Sequence, residues 1–163
     1  EHVYKILDVL PNEKNKVLYF NYKRTIENRD TSLFTLVESQ LIDISNRNPT
    51  ELFISNFIPI HAMVFSAELF SKHAFDAQLQ SHEDWDFLIS LLTLRAEFEW
   101  IDHGCDNAIV HIDASKTSRN QVAVKGLDYL SIYRKWPADN VSIEQARVNQ
   151  LKRMGIKLDC LVL

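Results

Sequence analysis

Apolar residues in this chain change their spacing several times, and each change marks a predicted element. In HVYKILDVL, Val3, Ile6, Leu7 and Leu10 recur at helical intervals until Pro11 ends the run. The polar turn NEKNK leads into VLYFNY, whose aromatic and branched residues predict a largely buried strand. Between Lys23 and Asn48 the pattern is ambiguous: SLFTLVESQLIDI reads as a helix, or as a strand followed by a helix. Pro49 precedes a short helix at TELFISN, and IPIHAMVF predicts an apolar strand.

Ser66 is placed to cap a short helix at AELFSKH by accepting from a free backbone amide. After the linker AFDAQLQ, an acidic helix is expected from about His82 to Ala96. FEWI and AIVHI predict two strands around the polar turn DHGCDN, and SKTSRNQ reads as a loop. In VAVKGLDYLSIYRKW, Val122, Gly126, Tyr129, Leu130 and Tyr133 share a helical face that stops before Pro137. Ser142 and Gln145 suggest a capping box for a last helix, with Lys152, Arg153 and Gly155 as its closing signals. Helices and strands alternate, so the class is α/β or α+β, with a mixed sheet flanked by helices. The strands are few for a complete doubly wound sheet, so part of a sheet is expected outside these residues.

Composition narrows the picture. The 163 residues are 46% hydrophobic and 25% charged, which suits one globular domain with a core. A net charge of -4 without a basic block argues against a nucleic-acid or anionic-membrane binder. Cys105 and Cys160 form no CxxC pair, which fits a reducing compartment and supports neither a zinc site nor a disulfide framework. No run is long and apolar enough to predict a membrane span. Gly104, Gly126 and Gly155 are the only glycines, too scattered for a phosphate-cradling loop or a dinucleotide fingerprint. The chain opens at Glu1 rather than at a methionine, and it is expected to be an excerpt of a longer protein.

The stretch SHEDWDFLISLL carries the most specific chemistry. One reading is purely structural: Ser81 caps the helix, Asp84 completes a capping box, and first-turn acids interact well with the helix dipole. The other begins from the helix being apolar on nearly every side, hence buried, with its acids at the floor of a cleft. Three clustered carboxylates repel one another unless a cation or a hydroxyl joins them. A carboxylate held this way is suited to take a proton from a hydroxyl.

FIPIHAMVFSAELFSKHAFDAQLQSHEDWDFLISLL resembles the second half of family-two glycosyltransferases, which have the A-type nucleotide-sugar transferase fold. Phe75 and Asp76 match that family's turn, Leu79 its spacer, and Glu83, Asp84, Trp85 and Asp86 its acidic motif. HIDASKTS is similar to a downstream loop, and the first helix and strand to the segment after the family's metal-binding DxD motif. His73 and Ala74 stand where glycines are usual, and Ser90 where an arginine is common. The resemblance spans residues 1–118, the acceptor-side half of such a domain, and leaves 119–163 as a C-terminal helical extension.

The resemblance implies an inverting sugar transfer from a nucleotide-sugar donor to a glycan or other hydroxyl acceptor, as in polysaccharide biosynthesis. Asp84 would be the general base; Glu83, Trp85, Asp86 and His111 would contact substrate. The nucleotide-binding first half is absent from these residues. A divalent metal, manganese or magnesium, is expected only with that missing N-terminal half of the same protein, which is the expected partner, and no metal ligand is assigned here. The chain alone is then expected to be catalytically silent. A cytoplasmic enzyme, or one held peripherally at the inner face of a membrane, is implied.

Two other functions compete. A non-catalytic domain of the same shape could bind a protein or glycan. A metal-dependent hydrolase built on His82, Glu83, Asp84 and Asp86 is disfavoured, because neighbours on one helix point in different directions. His61, His73 and His103 also lack ligand spacing.

Overall fold

A computed structural model describes residues 14–28, 35–72, 74–79, 81–102, 108–113 and 122–156. The predicted helix at HVYKILDVL and the loop SKTSRNQ lie outside them. Strands and helices make an α/β architecture with two small mixed sheets rather than one.

The first sheet has β1 (Lys16–Tyr19) at its centre, between β4 (Met63–Phe65), antiparallel, and β5 (Glu97–Trp100), parallel. In the second, β2 (Tyr22–Asn28) runs between β3 (Thr35–Ile42), antiparallel, and β6 (Ile109–Asp113), parallel. Only Phe20 and Asn21 separate β1 from β2, so one stretch of backbone is central to both sheets. Asn21 anchors this junction: its Oδ1 accepts from the Ile44 amide at 2.8 Å and from Trp100 Nε1 at 3.2 Å. Val17 and Leu18 are fully buried, as the VLYF pattern predicts.

Four helices follow: α1 (Ala67–Lys72), α2 (Glu83–Thr93), α3 (Val122–Lys135) and α4 (Val141–Arg153). Helix α2 is buried on every side from Trp85 to Leu91, as its apolar run predicts. One hydrophobic cluster joins β1, α2, α3 and α4 through Val17, Trp85, Leu88, Tyr133 and Leu151. Side chains on both sides of position 118 therefore share a core. Each fully buried large side chain there contributes roughly 1.5–3 kcal/mol.

A 3-10 helix at Pro49–Phe53, where a short helix is predicted, organises that junction. Its last carbonyls lack helical partners, and three side chains supply them. Trp85 Nε1 donates to the Leu52 carbonyl at 2.6 Å, Arg147 Nε to that of Phe53 at 2.7 Å, and Tyr133 Oη to that of Ile54 at 2.6 Å. Helices α2, α4 and α3 thus each hold one of three consecutive carbonyls.

Several expectations are corrected. The ambiguous segment forms strands β2 and β3 where it is described, with no helix between 35 and 42. IPIHAMVF contains only a three-residue strand, because a 3-10 turn after Pro59 takes its first half. The cap of α4 is Asn140, whose side chain accepts from the Ile143 amide at 2.9 Å, rather than Ser142. Ser66 does meet the Leu69 amide, at 3.4 Å, ahead of α1, and Gly155 takes the positive φ of 77° that ends α4.

Candidate functional site at the start of helix α2

Four consecutive residues opening α2 enter four environments, since side chains radiate about a helix axis. Glu83 is exposed, Asp84 is partly buried, and Trp85 and Asp86 are buried. The acidic motif is therefore divided, and its members do not converge on one point.

Asp84 lies against the loop that leaves the 3-10 helix. Its Oδ1 accepts from the Trp85 amide at 2.8 Å, and the Asn56 side chain hydrogen-bonds to it. Asn56 is itself fixed, with its Oδ1 accepting from the Ile58 amide at 3.0 Å. Burial pushes the Asp84 carboxyl above the ordinary aspartate range, and the negative charge of Glu83 adds to this. The Trp85 amide, His82 and Asn56 pull the other way without cancelling it.

Trp85 is fully buried. Its ring packs on Tyr129, with centroids 4.5 Å apart, and edge-on against Tyr133 at 6.0 Å. With its N–H committed to Leu52, this side chain acts in the core and presents no face to a ligand. Asp86 is 2% exposed and both its oxygens are engaged. Trp136 Nε1 donates to Oδ1 at 2.7 Å, and Lys135 Nζ to Oδ2 at 2.8 Å. Lys135 also reaches Asp76 Oδ2 at 2.9 Å, so one ammonium ties the Phe75–Asp76 turn to α2. Burial works against that ammonium, but its two carboxylate partners outweigh the loss and hold its pKa above the usual lysine value.

The start of α2 departs from the capping box that Ser81 and Asp84 suggest. The cap position is His82, left-handed at φ 65°, and it makes no side-chain cap bond. Ser81 turns its hydroxyl toward Asp128 of α3, donating to Oδ2 at 2.6 Å. Its carboxyl acceptor was not singled out by sequence; the only clue is a charged residue directly before the buried face at Tyr129.

His111 belongs to another cluster, on β6. Its Nδ1 meets Glu27 Oε1 at 2.5 Å and Thr25 Oγ1 at 3.0 Å, and its side chain is about half exposed. Its bonded partners are residues of β2, none of them from the acids of α2. Among the described residues, no three His, Cys, Asp or Glu side chains converge so as to hold a metal ion. No helix among them is long and apolar enough to cross a membrane.

Chemically, the start of α2 offers one partly accessible carboxylate, more basic than usual, beside an exposed carboxylate and a fixed amide. Such a group can accept a proton or hold a hydroxyl. No family model, curated protein or solved structure matches the chain.

Proposed function

We propose that this chain is the acceptor side of an inverting glycosyltransferase of the A-type fold, with Asp84 as general base. One observation carries the reading: of the three acids in the motif, Asp84 alone is held partly buried, made more basic by burial and still reachable. Asp86 is consumed by Lys135 and Trp136, and Glu83 stands in solvent.

In the reaction, the acceptor O–H gives its proton to Asp84 as its oxygen attacks the anomeric carbon of the donor. The bond from that carbon to the diphosphate oxygen breaks on the opposite face, and the nucleoside diphosphate leaves. A carboxyl pKa above the ordinary range makes the carboxylate a stronger base toward the acceptor hydroxyl. Glu83 is placed to bind acceptor hydroxyls. His111, set on β6, can contact substrate only as a separate group. The described residues do not assemble a metal site, so no step is assigned to one. The test is transfer from a panel of sugar nucleotides, with manganese or magnesium, by the protein that carries this segment. Absence of transfer across the panel, with the protein folded, counts against the reading.

A second reading, a non-catalytic domain of this shape that binds a protein or glycan, has one observation in its favour. Phe70 and Phe75 are 47% and 38% exposed, although they pack on each other and on Phe87. Aromatic faces of this kind pack against sugar C–H surfaces. Glycan binding that survives Asp84→Asn and is lost on Phe70→Ala would favour it.

A further inference from the structure

The turn before Asp84 is held by a residue outside the acidic motif. Asp128 is 5% exposed, and its Oδ2 accepts from the Ser81 amide at 2.8 Å and the Ser81 hydroxyl at 2.6 Å. His82 Nδ1 lies 2.7 Å from that hydroxyl and 3.5 Å from the same carboxylate oxygen. The His82 ring stands edge-on to Tyr129 of α3, with centroids 5.3 Å apart. Every one of these contacts lands on the two residues that precede Glu83.

A serine, a histidine and an aspartate together suggest a nucleophile relay, but the geometry excludes one. A relay needs serine on one ring nitrogen and the carboxylate on the other. Here both meet Nδ1, and the serine hydroxyl is spent on the aspartate. The cluster is a clamp. What it clamps is a left-handed non-glycine residue, His82 at φ 65°, a conformation that persists only when surroundings enforce it. His82 also supplies the first helical acceptor, taking the Asp86 amide at 3.1 Å. The direction in which α2 starts, and so where Asp84 points, follows from this turn.

We propose that Asp128 is a positioning residue for Asp84: by gripping Ser81 and His82 it fixes the left-handed turn that aims the Asp84 carboxylate at the acceptor. The role rests on Asp84 being the base. It places a working residue in α3, beyond the segment that resembles glycosyltransferases. The charged groups acting on Asp84 are Glu83 and His82, and Asn56 is its polar neighbour.

The experiment is a carbon-detected NMR titration of the Asp84 side-chain carboxyl in the 163-residue chain, assigned with D84N. It needs no transfer reaction, so it can fail while the catalytic reading stands, and the reverse. In D128A the midpoint should fall toward that of an ordinary aspartate, because the released turn lets water reach the group. In D128N it should stay raised, since the amide oxygen can still accept both Ser81 donors. A folded D128A with an unchanged midpoint overturns the proposal, as do equal shifts in D128A and D128N. Should D128A not fold, H82G/D128A decides, because glycine adopts the positive φ without strain. Its midpoint should equal that of H82G. A different midpoint would mean that Asp128 acts on Asp84 by a route other than this turn, and failure of that variant to fold would assign Asp128 to stability alone; either overturns the proposal.

Discussion

Trp136 donates its indole N–H to Asp86 at 2.7 Å, joining the end of α3 to the first turn of α2. The bond takes one acid out of contention for chemistry and makes it part of the frame that carries its neighbour Asp84.

If Asp84 is the base, Asp84→Asn in the intact enzyme should lower turnover by about two to four orders of magnitude, the usual range for losing general-base assistance. Donor affinity should change little. Steady-state kinetics with a competent donor and acceptor make the check, and near-normal turnover removes Asp84 from the mechanism.

The same substitution should stabilise the fold at neutral pH. The folded Asp84 carboxyl sits above its unfolded value because of burial, so the folded protein holds that proton more tightly. The stability this confers is full below the unfolded pKa and is lost as pH rises through the folded one. Above that range the buried negative charge is a liability that asparagine removes, with a gain of about 0.5–2 kcal/mol, the common yield of one stabilising substitution. Denaturant melts should show the gap between the two proteins closing as the solution is acidified. A variant less stable than the parent at pH 7 would contradict this.

Trp136→Phe should cost about 1–3 kcal/mol, the penalty for leaving a buried acceptor short of a donor. Lys135→Met should cost a similar amount rather than the 3–5 kcal/mol of a fully buried pair, roughly, because the Lys135 side chain is 42% exposed and water can replace it. Urea denaturation separates the outcomes. Neutral effects in both variants would show that Asp86 is solvated in solution.

Trp85→Phe keeps most of the packing on Tyr129 but abandons the Leu52 carbonyl. A loss of about 1–2 kcal/mol is expected, against about 3–5 kcal/mol for Trp85→Ala. Neither should alter acceptor affinity beyond what partial unfolding explains. An acceptor KM that rises in a fully folded Trp85→Phe protein would return this residue to the binding surface.

Much of the frame was legible from spacing. The burial of α2, the strand at VLYF, the two strands at FEWI and AIVHI, and the face of α3 all follow from apolar periodicity. The segment at β3 was not legible, because Leu36, Val37 and Leu41 are all exposed there. A strand open on both faces has no reason to alternate. Within the site, sequence could mark the acids at 83, 84 and 86 but could not divide them. Which one stays reachable is settled by Lys135 and Trp136, some fifty positions away. The start of α2 misled for a related reason: Ser81 is a natural cap, and a distant carboxylate outcompetes the local amide for its hydroxyl.

The pairing of β1 with β5 and of β2 with β6 has a kinetic corollary. Lys16 bonds to Glu99 across 83 positions and Glu27 meets His111 across 84, so neither sheet can close until most of the intervening polypeptide has been gathered. Loop closure on that scale comes late and slowly. Refolding from denaturant should therefore lag well behind that of a helical bundle of equal size, and a growing chain on the ribosome would leave one edge of its central ribbon unmatched until β5 and β6 emerge.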